Sequence, residues 1–331
     1  MPVHTGRGSG MTGRFLEELT AGLRETPKRV ASRFFYDDRG SQLFDQITQL
    51  DDYYLTRCEL QILRDAAKDI TAGFGEQVTL IELGSGSSTK VECLVDATPS
   101  VTTYIPVDIC QSALDRAVTR LARSHPDLRV QPVHADFKRD VVLPPLNPSA
   151  QWVVFYPGST IGNAEPGDVD AILGRITALL RPGDRLLIGV DLVKDVEIME
   201  RAYNDAEGIN AVFHKNLLRH LNRLAGADFV PDQFQHVARF NAAAGRVEMQ
   251  LRSLQRQQVS IGGEVFTFEV GELLHTESSY KFELEAFHRS VAAHRLDHVR
   301  TWLDDQGWFA VVCYERPDLT PSRDGRVRET P

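Results

Sequence analysis

The sequence predicts an α/β protein with a doubly wound parallel sheet and a second, α+β domain. Three observations support this prediction. Between about 78 and 192, short apolar runs alternate with amphipathic helical segments, which is typical of a parallel sheet covered on both faces. From about 194 to 280 the alternation stops, and a helical segment is followed by a hairpin-like stretch. The length of 331 residues also suggests two domains.

The helices and strands follow in order along the chain. Apolar residues three and four apart predict N-terminal helices at 15–25, 41–50 and 58–74. The apolar runs that predict strands are 78–83, 102–109, 128–137, 151–158 and 184–192. Helical segments lie between several of these strands, at 90–98, 111–125 and 167–180. Strands connected through helices in this way run parallel in one sheet.

The rest of the chain predicts a helix over 201–226 and a hairpin over 245–270 that turns at Gly262-Gly263. A helix over 286–307 and a closing strand over 308–315 follow. We therefore expect two discontinuous domains. Their ranges are 57–193 with 281–320 for the sheet domain, 11–56 with 194–280 for the second domain, and 1–10 and 321–331 for mobile tails.

The composition favours a small-molecule ligand. The 37 basic and 46 acidic residues give a net charge of -9, which argues against nucleic acid or an anionic membrane surface as a partner. The cysteines are widely spaced and form no metal-ligand pattern, so we expect a reducing cytoplasm and no bound metal. The sequence shows neither a signal-peptide pattern nor an apolar run of membrane-spanning length. We expect a monomer.

A glycine-rich turn at Gly84-Ser85-Gly86 is the first candidate ligand site. It follows the strand at 78–83 and precedes a helix, so a ligand could approach the backbone and the helix N-terminus. A tight turn without a ligand is an equally good interpretation of this motif alone. Thr89 stands where a dinucleotide-binding turn has its third glycine, which argues against a pyrophosphate at this loop.

Acidic residues end the next two predicted strands. Asp108 lies where a carboxylate reaches a ribose diol, and Asp136-Phe137 could bind and cover an adenine ring. Each aspartate alone could instead cap a helix or a turn. With no phosphate anchor, S-adenosylmethionine fits these residues better than a nicotinamide dinucleotide. Lys90 could hold the cofactor carboxylate, although a solvated helix residue is the more ordinary interpretation.

The loop over 155–163 contains two glycines and an amide. In a class I methyltransferase the loop after the fourth strand is where the acceptor nucleophile meets the methyl group, which makes Thr160 and Asn163 candidate site residues. An ordinary Gly/Asn turn explains the same pattern if the loop is considered in isolation.

Six segments taken together resemble the histidine Nα-methyltransferases of ergothioneine biosynthesis. The resemblance extends from about 30 to 315. The segments are FFYDDRGSQLFDQITQLDDYYLTR, IELGSGSSTK, GSTIGN, LIGVDLVKD, RAYNDAEGINAVFHKN and HTESSYKF. The resemblance implies a Rossmann-like methyltransferase sheet that binds S-adenosylmethionine, and a second domain, built from the N-terminus and the insert, that closes over the amino acid.

The resemblance also implies the roles of individual residues. The cofactor would be bound by Tyr36, Gly84, Lys90, Asp108, Asp136 and Phe137. Histidine would be bound by Tyr53, Asn163, Tyr203, Glu277, Ser279, Phe44 and Met249. Asn163 and Tyr203 would take its carboxylate, Glu277 and Ser279 its imidazole, and Tyr53 would lie against the ring. Tyr36, Gly158 and Thr160 would lie beside the reacting atoms.

Some positions depart from the family pattern. Leu55 stands where many relatives have proline, and Arg239-Phe240 replaces a Lys/Arg-Trp pair. The presence of both Glu277 and Met249 supports histidine over tryptophan as the acceptor. Considered singly, Tyr53 and Tyr203 could be core residues, Glu277 a solvated strand residue and Met249 simple packing.

The implied activity is trimethylation of the α-amino group of L-histidine to hercynine. One alternative is α-N-methylation of another aromatic amino acid, such as tryptophan. Two further alternatives belong to other classes: a nicotinamide-dependent oxidoreductase and a non-catalytic ligand sensor.

Overall fold

The computed structural model describes residues 9–318 except 87 and 140. Within these residues the chain forms an eight-stranded sheet, a four-stranded sheet and a two-stranded hairpin. The strands are β1 Lys28–Arg29, β2 Val78–Leu83, β3 Val101–Asp108, β4 Arg129–Val130, β5 Val133–His134, β6 Gln151–Tyr156, β7 Arg185–Asp191, β8 Phe234–Asn241, β9 Arg246–Ser253, β10 Gln257–Ile261, β11 Glu264–Phe268, β12 Leu273–Tyr280, β13 Asp297–Leu303 and β14 Phe309–Glu315. The helices are α1 Ser9–Arg24, α2 Asp38–Ile47, α3 Tyr54–Asp65, α4 Ala67–Thr71, α5 Thr89–Ala97, α6 Gln111–Ser124, α7 Pro166–Leu179, α8 Val196–Arg201, α9 Ile209–Ala225 and α10 Leu284–Ala292.

The larger sheet has the predicted doubly wound form. Its strand order is β13-β14-β7-β6-β2-β3-β4, and β5 also pairs with β3. Strands β7, β6, β2, β3 and β4 run parallel, whereas β14 is antiparallel to β7. The order reverses beside β2, because β3 lies on one side of this strand and β6 on the other. Ligands bind in the crevice that such a reversal opens at the carboxyl ends of the strands.

Both faces of this sheet are buried. Strands buried on both faces have continuous apolar sequences, as the strands of this sheet do. Every residue of β2 is buried, and its successive side chains alternate between two hydrophobic cores. Leu80 packs with the core shared with the N-terminal helices and the smaller sheet, and Ile81 packs with the core under α7 and α10. The sheet is therefore a rigid platform, and its strand ends hold loop residues in place.

Two predictions for the larger sheet need correction. The predicted helix over 286–307 ends at Ala292, and 297–303 forms the edge strand β13. Arg295 has a positive φ of 57°, so a helix cannot continue through it. The first half of β13 is exposed and does not alternate apolar with polar residues, so its sequence does not indicate a strand. The predicted strand over 128–137 is two short strands, and Pro132 between them has no N–H to donate.

The smaller sheet has the order β1-β12-β9-β8. It therefore combines β1 from the N-terminal segment with three strands from the insert. The β10–β11 hairpin turns at Gly262-Gly263 as predicted, but the sequence did not identify β8 or β12 as strands. The predicted helix over 201–226 is shorter in the structure, because α8 ends at Arg201 and α9 begins only at Ile209. Asp205 caps α9 by accepting hydrogen bonds from Ile209 N at 2.7 Å and Asn210 N at 2.8 Å.

The predicted helices at 15–25 and 41–50 are confirmed as α1 and α2, whereas the predicted helix at 58–74 is two helices, α3 and α4. The predicted tails lie outside the described residues, apart from residues 9 and 10. These two residues belong to α1 and not to a tail. The division into two domains remains a prediction. None of the described helices is long and apolar enough to span a membrane.

Candidate active site

One cavity lies between the carboxyl ends of the parallel strands and the smaller sheet. Every predicted site residue except Lys90 lines it. Those residues are Tyr36, Phe44, Tyr53, Gly84, Asp108, Asp136, Phe137, Gly158, Thr160, Asn163, Tyr203, Met249, Glu277 and Ser279. The structure therefore brings the predicted cofactor and amino-acid residues together at one site. Their individual roles remain predictions.

The glycine turn and Asp108 form one wall of the cavity. Gly84 and Gly86 have positive φ angles of 69° and 50°, which favour glycine. Asp108 Oδ2 accepts a hydrogen bond from Gly86 N at 2.8 Å, and Oδ1 accepts one from Cys110 N at 2.8 Å. Burial raises the pKa of this carboxyl, while the backbone amides oppose the rise. Each oxygen keeps a lone pair that can accept a ligand hydroxyl.

Asp136 and Phe137 lie at the neighbouring strand end. Asp136 Oδ1 accepts a hydrogen bond from Lys138 N at 3.0 Å, which orients the carboxylate. The Phe137 ring packs edge-on against Tyr156, with centroids 5.3 Å apart, and lies close to Gly84. An apolar ring and acceptors at two strand ends fit the adenine and ribose of an adenosine.

Lys90 is not among the lining residues of the cavity and forms an ion pair with Glu59. Lys90 Nζ is 2.6 Å from Glu59 Oε2, and the Glu59 side chain is fully buried on α3. Both Glu59 oxygens accept from Gly158 N, at 2.9 and 2.8 Å. The sequence did not single out Glu59, because a glutamate in an amphipathic helix resembles a solvated residue. In the structure it joins α3, the start of α5 and the loop after β6.

Gly189 on β7 leaves the space that Glu59 occupies. A Cβ here would overlap Glu59 Oε1 and lie 3.0 Å from the Phe309 ring. We expect Gly189→Ala to displace the carboxylate and to lower the free energy of unfolding by about 1–3 kcal/mol in urea titration. Gly167→Ala is the matched control, since a Cβ there meets nothing within 4 Å. Equal stability of the two variants would show that Glu59 moves without cost.

The loop after β6 enters the cavity through Gly158 and Thr160. Gly158 has a positive φ of 78°. Thr160 Oγ1 donates to Pro157 O at 2.8 Å, so its proton points away from any ligand. The residue lines the cavity, and its hydroxyl oxygen keeps lone pairs that can accept a hydrogen bond. Thr160 can therefore contribute an acceptor and space, rather than a hydrogen-bond donor.

Glu277 and Asn163 form the polar end of the amino-acid side. Asn163 Nδ2 donates to Glu277 Oε1 at 3.0 Å, and Glu277 lies opposite Met249 in the register of β12 and β9. Burial raises the pKa of Glu277 to about 7, although Lys138 and Lys281 lower it. The two residues that the resemblance assigns to different ends of histidine thus contact each other. Asn163 retains a second N–H for a ligand.

Aromatic rings form the rest of this side. Tyr53 lies edge-on to Tyr203 at 5.9 Å and to Phe44 at 6.2 Å, and Tyr36 lies 5.9 Å from Phe44. Phe213 on α9 is 6.1 Å from both Tyr36 and Phe44. Burial raises the pKa of Tyr36 far above its usual value, so its phenol keeps its proton. The sequence missed Phe213, because an apolar residue on a helix stripe looks like ordinary core.

Comparison with known proteins gives consistent matches. A family model described as histidine-specific methyltransferase, SAM-dependent, matches residues 15–316. A histidine N-alpha-methyltransferase of Mycobacterium tuberculosis is 39% identical over 313 residues, covering 93% of this chain and 96% of that protein. A protein of the same name from Mycolicibacterium smegmatis is 40% identical over 300 residues, covering 89% and 92%. Ergothioneine biosynthesis protein 1 of Neurospora crassa is 28% identical over 296 residues, covering 86% of this chain and 33% of that protein.

The family match includes both sheets and all the motifs that suggested the resemblance. It confirms S-adenosylmethionine as the cofactor, and the observed strand order confirms the Rossmann-like sheet. The chain belongs to the family of histidine-specific, S-adenosylmethionine-dependent methyltransferases.

Proposed function

We propose that this chain is an L-histidine Nα-methyltransferase that transfers three methyl groups to the α-amine and releases hercynine, as in ergothioneine biosynthesis. The observation that most supports this is Glu277, a buried acceptor that lines the same cavity as Asp108 and the glycine turn. A buried carboxylate is costly to desolvate unless a partner binds it. An imidazole N–H is a suitable partner.

The residues at the strand ends fit the cofactor. Asp108 would accept from the ribose hydroxyls, and Asp136 and Phe137 would hold the adenine. Gly84 and Gly86 leave the backbone open to the ligand. When bound, S-adenosylmethionine supplies a methyl group activated by its sulfonium.

The protein contributes mainly by alignment. Tyr36 keeps its proton and could donate a hydrogen bond to a bound ligand, while the rings of Phe44 and Phe213, which line the same cavity, would exclude water from the reacting atoms. Holding two reactants in an attack geometry recovers about 7–11 kcal/mol of the barrier. Gly158 and Thr160 line the part of the cavity where the amine would need space as methyl groups accumulate.

The test is incubation of the protein with S-adenosylmethionine and a panel of amino acids that includes tryptophan. We expect mass spectrometry to show one, two and three methyl groups on histidine, with fragmentation placing them on the α-nitrogen. Methylation of tryptophan in preference to histidine, or of an imidazole nitrogen, would contradict the proposal.

We also propose that the protein works as a monomer in a reducing cytoplasm. The free thiols of Cys58, Cys93, Cys110 and Cys313 support the choice of compartment. Light scattering coupled to size-exclusion chromatography measures the oligomeric state, and a dimer mass would contradict the monomer.

A further inference from the structure

Lys281 lies directly behind the amino-acid side of the cavity. Its side chain is fully buried just after β12, and Nζ donates to three oxygens. These are Asp191 Oδ2 at 2.6 Å, Ser279 Oγ at 2.8 Å and the Tyr203 hydroxyl at 3.0 Å. Lys281 thus connects two cavity residues to Asp191, the last residue of β7 in the larger sheet.

These contacts limit how the two hydroxyls can point. The three N–H groups of the ammonium are all used by Asp191, Ser279 and Tyr203. Tyr203 and Ser279 are 2.8 Å apart, so one hydroxyl donates to the other. The O–H of the other hydroxyl donates to nothing within this cluster. Because both residues line the cavity, this O–H is available to a ligand.

The charge behind the hydroxyls favours an anion. Asp191 also accepts from Lys194, so these three side chains carry one excess positive charge, which the Glu277 carboxylate near Lys281 partly opposes. The side chains of Asp191, Lys194 and Lys281 are buried, so water screens this charge weakly. An anionic group at the free O–H would be stabilised by both the hydrogen bond and the charge.

We propose that Lys281 is a positioning residue that orients the Tyr203–Ser279 pair so that the free O–H, on Tyr203, donates to the carboxylate of the amino-acid substrate. The site then selects acceptors with a free carboxylate over neutral amides or esters. This inference rests on the proposed function, because it assumes that Tyr203 and Ser279 contact the amino acid. Lys281 itself acts through these hydroxyls and does not touch the substrate.

The test compares Lys281→Met with Lys194→Met, using histidine and histidine amide as substrates. Both variants remove one ammonium partner of Asp191, but Lys194 contacts neither Tyr203 nor Ser279. We expect the wild type to prefer histidine over its amide by about 10- to 150-fold in KM. Lys281→Met should raise the KM for histidine more than it lowers kcat, and should reduce that preference to a few-fold. Lys194→Met removes the same charge but leaves both hydroxyls oriented, so it should lose less of the preference than Lys281→Met does. Both variants should bind S-adenosylhomocysteine normally.

A double-mutant cycle with Tyr203→Phe separates orientation from general destabilisation. If Lys281 orients the hydroxyl, Tyr203→Phe costs much less affinity in the Lys281→Met background than in the wild type. Additive losses, or an unchanged preference for histidine over its amide in Lys281→Met, would overturn the inference while leaving the proposed function intact. If Tyr203→Phe and Ser279→Ala leave histidine affinity unchanged, both this inference and the assignment of those residues are wrong. Should Lys281→Met not fold, Lys281→Leu, which also has no N–H donor, replaces it in the same cycle.

Discussion

Replacement of Asp108 by alanine is expected to weaken S-adenosylmethionine binding by about 100-fold or more. The carboxylate has one remaining lone pair on each oxygen for the two ribose hydroxyls. Each hydrogen bond to a charged group contributes about 1.5–3 kcal/mol, and about 1.4 kcal/mol corresponds to a tenfold change in affinity. The variant also loses the acceptors of Gly86 N and Cys110 N, so the glycine turn would be less well held.

Isothermal titration calorimetry with S-adenosylmethionine measures this effect directly. Asp96→Ala is the matched control, because Asp96 is a carboxylate at the end of the helix after the glycine turn and its side chain is 71% exposed. The control should bind the cofactor as the wild type does. An Asp108→Ala variant that is folded and binds within threefold of wild type would show that the adenosine does not lie at this strand end.

The cofactor side of the cavity could be predicted from local sequence. Each of its parts occupies a short contiguous segment, a strand followed by a turn or an acid, and parallel strands bring such segments to one edge. Gly84, Asp108 and Asp136 could therefore be located from the alternation of strands and helices alone. The structure shows them lining one cavity.

The amino-acid side could not be assembled in this way. Tyr53, Asn163, Tyr203 and Glu277 come from four distant parts of the chain, and β12, which holds Glu277, was not identified as a strand. Only the resemblance to a family brought them together. The amino-acid sequence alone also does not distinguish a buried charged side chain from a solvated one. Glu59 and Lys281 were missed for this reason, although each joins elements that are far apart in sequence.

Replacement of Glu277 by alanine is expected to weaken histidine binding by about 10- to 150-fold. A hydrogen bond to a charged group contributes about 1.5–3 kcal/mol, which corresponds to this range. Calorimetry with histidine, on protein saturated with S-adenosylhomocysteine, measures the loss. Glu269→Ala provides the control, since its side chain lies after the β10–β11 hairpin and is 63% exposed. Cofactor affinity should remain at the wild-type value in both variants.

The pKa of Glu277 adds a second, independent signature. Burial raises this pKa to about 7, so lowering the pH through this value protonates the carboxyl and removes the negative charge that strengthens its bond to the imidazole. We expect the affinity of the wild type for histidine to fall about twofold between about pH 8 and pH 7, a range that lies above the usual imidazole pKa of about 6.5. Glu277→Gln has no carboxyl to titrate, so its weaker affinity should stay nearly constant over the same range.

The two measurements separate a direct contact from an indirect one. If Glu277 only held Asn163 in place, Glu277→Gln could still accept from Asn163 Nδ2 through its amide oxygen and would restore most of the affinity lost in Glu277→Ala. A direct charge-assisted bond to imidazole predicts that glutamine restores little at about pH 8. Full recovery in Glu277→Gln, together with an unchanged pH dependence, would assign imidazole recognition to another residue of the cavity.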